Sequence, residues 1–101
     1  MYRQGDVLLI PVNDLPENLS EVPRENGRLI LAHGEATGHA HAVTSREAVL
    51  HESLTGDRYL SLPKSTTLTH EEHAHPKLPA GNYRVVRQRE YTPAGIINVA
   101  D

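Results

Sequence analysis

The stretch "NGRLILAHGEATGHAHAV", residues 26–43, decides the fold class. Asn26-Gly27 is a dipeptide favoured in tight hairpin turns, because both residues tolerate positive φ. "GRLILAH" (27–33) then reads as a strand, Gly34 closes it, and "HAHAVTS" (39–45) reads as the next. The same rhythm of a short apolar run followed by a turn residue, every eight to twelve positions or so, extends in both directions.

Toward the N-terminus, Gly5-Asp6 leads into the apolar run Val7–Val12, which reads as a strand whose Pro11 must sit at its end or on an edge. Residues 13–26 are polar, with Pro16 and Pro23, and read as a surface loop pinned by Leu15, Leu19 and Val22. Toward the C-terminus come "EAVLHES" (47–53), a "TGD" turn (55–57), "RYLSL" (58–62) stopped by Pro63, and "TTLTH" (66–70). "NYRVVRQREY" (82–91) is introduced by Pro79-Ala80-Gly81 and ended by Pro93, and "GIINV" (95–99) adds a last short strand. These runs predict about seven or eight strands and no amphipathic helix of three turns. The expected fold is all-β: one domain over residues 1–101, as a small antiparallel barrel or two-sheet sandwich.

The chain has 101 residues, 38% of them hydrophobic, with no Trp, no Phe and four Tyr, so the core must be built from Leu, Ile, Val and Ala. A core this thin gains from oligomerisation or a bound metal. With no cysteine, a transition-metal site must use imidazole and carboxylate. That composition fits a reducing cytosol, and a cytoplasmic protein is expected. The apolar run 7–12 is too short for a membrane span or a signal peptide, so no membrane association is expected. Net charge is -3 with neutral histidines, and Lys and Arg are not clustered into a basic face. Nucleic acid is therefore not an expected partner, because neutralising phosphates supplies most non-specific affinity.

Five of the seven histidines fall in two windows, His39 and His41 in one and His70, His73 and His75 in the other. In a strand His39 and His41 point to the same face, about 7 Å apart along the chain, with Ala40 and Ala42 on the other. Two imidazoles so placed can share one metal. The second window reads two ways. Extended, it puts Glu71, His73 and His75 on one face; as a helical turn, it makes His70 and His73 neighbours, and Thr69 with Glu72 has the form of a capping box. The HExxH zincin spacing is absent, since these histidines are three apart rather than four. The competing reading makes the histidines structural, with Glu35, Glu71 and Glu72 as hydrogen-bond partners; a third makes them a pH-sensitive interface. Glu35 and Glu47 are the carboxylates near the first window.

The run 82–91 carries Arg84, Arg87 and Arg89 with little to bury besides Val85, Val86 and two tyrosines. Its first half reads as core and its second half as an edge or a contact surface for an anion or a protein partner.

"HGEATGHAHAV", "HEEHAHPKLPAGNYRV" and "RQREY" resemble stretches of small bacterial and phage-associated proteins, a resemblance that implies no particular activity. A second, partial resemblance is to the cupins, metal-binding β barrels. Gly34, His39, His41 and Glu47 approximate their first motif and Pro79-Ala80-Gly81 their PxG, while Arg84 and Gln88 stand where a histidine and an asparagine belong. By analogy only, it implies a cupin-like barrel.

The leading functional expectation is a small β protein that binds a divalent metal (zinc, iron, manganese or nickel) through His39 and His41 with His70, His73 or His75. If it catalyses a reaction, Glu71 or Glu47 is the candidate base; whether it is an enzyme stays open. The alternative is a non-enzymatic binding or assembly module of a bacterial or phage system, homo-oligomeric or bound to a protein partner through Arg84, Arg87 and Arg89.

Overall fold

Asn26 and Gly27 both take positive φ, 52° and 78°, and the flanking Glu25 and Arg28 exchange backbone hydrogen bonds of 2.8 and 3.0 Å. This is the two-residue turn the dipeptide predicts. The computed structural model describes residues 1–34, 38–92 and 95–98, with side chains described up to Gln88. Its strands, in order, are β1 (Tyr2–Gln4), β2 (Val7–Val12), β3 (Ser20–Glu21), β4 (Leu29–His33), β5 (Ala40–Val43), β6 (Val49–Glu52), β7 (Arg58–Leu62), β8 (Thr66–Thr67), β9 (Lys77–Leu78), β10 (Gly81–Arg87), β11 (Arg89–Thr92) and β12 (Gly95–Asn98). The all-β expectation holds, and among the described residues no helix is long and apolar enough to cross a membrane.

The main sheet runs β1-β2-β10-β7-β6-β3, and β4-β5, β8-β9 and β11-β12 are separate hairpin pairs. Every pairing is antiparallel. The main sheet and the β4-β5 pair face each other like a sandwich and do not close, so the barrel alternative, and with it the cupin analogy, is not met. Between them lies one leucine-rich cluster, with Leu9, Leu29, Leu50, Leu60, Leu68 and Leu78 fully buried. Each such side chain contributes about 1.5–3 kcal/mol by leaving water. Tyr83 is buried, with Tyr2 edge-on at 5.9 Å.

Alternation along β2 places Val7 and Leu9 in the core and leaves Leu8 and Ile10 half-buried. β1 covers β2 only as far as Leu9, so Pro11 lies beyond that pairing, as a residue without an N–H requires. From Asn82 to Val85, β10 pairs with both β2 and β7; Val86 and Arg87 pair with Leu8 and Val7 on one side only, so the end of this strand is an edge on the β7 side. The ladder of residues 82–91 breaks at Gln88, whose N–H donates instead to the Asp6 carbonyl at 2.7 Å.

Candidate metal centre

Two local structures bring the histidine windows together. In β5, Ala40 and Ala42 are buried on one face against Ile30, while His41 and Val43 lie on the other, with Val43 in the main core, as the alternation of the sequence predicts. The second window hangs between β8 and β9, closed at its base by the Thr66↔Leu78 pairing and the bond from Leu68 N–H to the Pro76 carbonyl. Buried Leu68 and Leu78 fix that base in the core. Ala42 and Thr69 then exchange backbone hydrogen bonds of 3.0 and 2.9 Å and dock the loop on β5. The Thr69 hydroxyl donates to the Ala42 carbonyl, so it caps no helix, and the capping-box reading is corrected: residues 71–73 form a bend.

The result is a cluster of four imidazoles. Ring centroids are 5.5 Å apart for His39 and His70, 4.5 Å for His41 and His70, 4.6 Å for His70 and His73, and 6.2 Å for the stacked His41 and His73. His39, His70 and Glu71 each offer one ligand atom within 4.8 Å of the others, a spacing that could hold a metal ion. The Glu71 carboxylate accepts the Ala40 N–H at 2.8 Å. That bond, its own backbone N–H and the His39 and His70 rings hold its pKa below the ordinary carboxylate value, so the group is an anion at neutral pH.

Behind the cluster sits a buried polar layer that the sequence did not reveal. The Gln4 amide donates to the carbonyls of Leu68 at 3.0 Å and Ala74 at 2.9 Å. With its NH2 committed, its oxygen faces His41 Nδ1 at 2.9 Å, so that nitrogen carries the proton and donates. His41 Nε2 faces Oδ1 of the fully buried Asp6 at 3.4 Å, and Oδ2 of Asp6 accepts from Arg87 Nε at 2.7 Å. Arg87 also donates to the His33 carbonyl. Gln4 and Asp6 flank the Gly5 turn at positions without periodic signal; an acid set directly against the apolar run 7–12 was the available clue.

His70 Nδ1 accepts the Glu72 N–H at 3.0 Å, so a neutral ring carries its proton on Nε2, and a metal must displace that proton or the Glu72 bond. His73 is half-buried beside His70. His75 is exposed, with Nε2 bonded to the His70 carbonyl at 2.6 Å, and it braces the loop. Glu47 lies apart, exposed against Ser45 and Lys64; its own backbone N–H and then Lys64 lower its pKa. Arg84 is half-exposed and faces Asp57 at 3.5 Å. Glu35 and the side chain of Arg89 lie outside the described residues.

Comparison with known proteins adds a family. The model of a family described as a domain of unknown function, DUF8820, matches residues 3–88. The chain belongs to that family. The DUF8820 match spans both histidine windows and reaches Gln4, Asp6 and Arg87. Neither a curated protein nor a solved structure matches the chain.

Proposed function

We propose that this domain is a metal-binding module that holds one divalent ion between β5 and the 68–76 loop through His39, His70 and Glu71. The observation that carries the reading is that these three ligand atoms converge within 4.8 Å from two windows distant in sequence. His41, oriented by Gln4 and Asp6, packs its ring on His70 and holds it in place, as outer partners of metal-binding imidazoles do. Two imidazoles and a carboxylate suit zinc, iron, manganese or nickel. Three protein ligands leave coordination positions open to an oxygen ligand from outside, the arrangement of sites that polarise a bound group rather than only brace a fold.

Elemental analysis of protein purified without a histidine tag tests this reading. It expects close to one ion per chain, lost in the His39→Ala, His70→Ala double variant. A metal-free protein that stays metal-free after incubation with each of the four ions would overturn it.

A further inference from the structure

A cleft of about 470 Å3 opens where β10 runs on past the start of β7. Pairing between these strands ends at Val85↔Arg58, and the chain turns away through Gly56 and Asp57. Val7, Leu31 and Val85 give the cleft an apolar floor, and Arg58, Arg84 and Arg87 line it as well. The histidines of the metal centre do not line it.

Two of these guanidinium groups are held from behind. Arg87 donates through Nε to buried Asp6 and through Nη2 to the His33 carbonyl. Arg58 donates through Nε to Glu52 at 3.3 Å and through Nη1 to the Ile30 carbonyl at 3.2 Å. Neither Asp6 nor Glu52 lines the cleft; they fix the orientation of the cations. A guanidinium has five N–H donors, so Nη1 of Arg87 and Nη2 of Arg58 remain uncommitted among the described residues. Arg84 has only the long, half-exposed pair with Asp57, a kind of contact that contributes little and gives way readily.

Pre-aimed donors over an apolar floor, in a volume typical of small-molecule sites, define a ligand class. We propose that the cleft binds the oxyanion group of a small molecule, a phosphate monoester or a carboxylate, whose apolar part rests on Val7, Leu31 and Val85. The planar fork of arginine matches both groups, and donors already oriented lose little entropy on binding. Asp57, the acid that lines the cleft, opposes the anion. This site stands independently of the metal reading.

Titration of the folded protein at low salt with phenyl phosphate and, separately, benzoate, followed by amide NMR, tests the proposal. Saturable shifts are expected at Arg58, Arg84 and Val85, and the tighter of the two probes identifies the group. Arg84→Gln should weaken binding about tenfold, the loss of one charged hydrogen bond. Asp57→Asn should tighten it, which a merely structural role for Asp57 would not produce. Arg58→Gln gives a second reading should Arg84→Gln disturb the fold. Lys64→Gln, which removes an exposed charge elsewhere, should leave affinity unchanged. Absence of saturable binding by either probe overturns the proposal, as does equal weakening by Lys64→Gln and Arg84→Gln.

Discussion

Replacing Asp6 by Asn removes one negative charge from the interior and changes almost no volume. Asp6 is fully buried, with Arg87 Nε at 2.7 Å on one oxygen and His41 Nε2 at 3.4 Å from the other. Breaking a fully buried pair by removing one partner costs about 3–5 kcal/mol, because the other charge is left uncompensated. The Arg87 side chain keeps 28% of its surface in water, which favours the lower end, about 3 kcal/mol. At ~4–8 °C per kcal/mol for a domain of this size, Tm should fall by roughly 12–24 °C. The double variant Asp6→Asn, Arg87→Gln leaves no unpaired charge and should recover about 1–3 kcal/mol relative to the sum of the single variants. Circular dichroism melts of the four proteins at neutral pH measure this cycle. A loss below about 1 kcal/mol for Asp6→Asn, or strict additivity in the double variant, refutes the reasoning.

Gln4→Leu should weaken metal affinity by about 10–100-fold while the protein still folds, since it frees His41 Nδ1 and the loop carbonyls of Leu68 and Ala74; isothermal titration with zinc is the check. Gly27→Ala should cost about 1–2 kcal/mol in a thermal melt, because φ is +78° and the added Cβ meets no neighbour, so the penalty is conformational alone. Burial, with Tyr2 adding, pushes the Tyr83 hydroxyl above its ordinary value of 10.0. The folded state therefore holds this proton more tightly than the unfolded state. Its stabilisation is full below pH 10 and is lost as pH rises through the folded value, a dependence that Tyr83→Phe should remove from alkaline melts.

The sequence revealed what is local. β7 falls where "RYLSL" placed it, and the Asn26-Gly27 turn and the inward face of His41 follow from dipeptide chemistry and the two-residue period. β1, β3 and β9 are two or three residues long, too short to carry a period. "TTLTH" shrinks to Thr66–Thr67 because Leu68 drops into the core and Thr69 crosses to Ala42. Arg87, at the end of β10, reaches Asp6 across 81 positions, and no local pattern encodes that partner. The candidate centre divides in the same way. Its imidazoles were countable in advance, whereas the choice of His70 and Glu71 over His75, and the exclusion of Glu47, depend on how the 68–76 loop docks.

Joint binding of one ion by residues from both histidine windows is tested most directly by a zinc titration followed at the ring nitrogens of the seven histidines. The His39 and His70 resonances should move together and saturate at one equivalent, and the Glu72 amide should shift with them as its bond to His70 Nδ1 is perturbed. His33 and His51 should stay still. Saturation with His39 or His70 unmoved, or uniform broadening of all seven rings without a stoichiometric end point, would contradict the account.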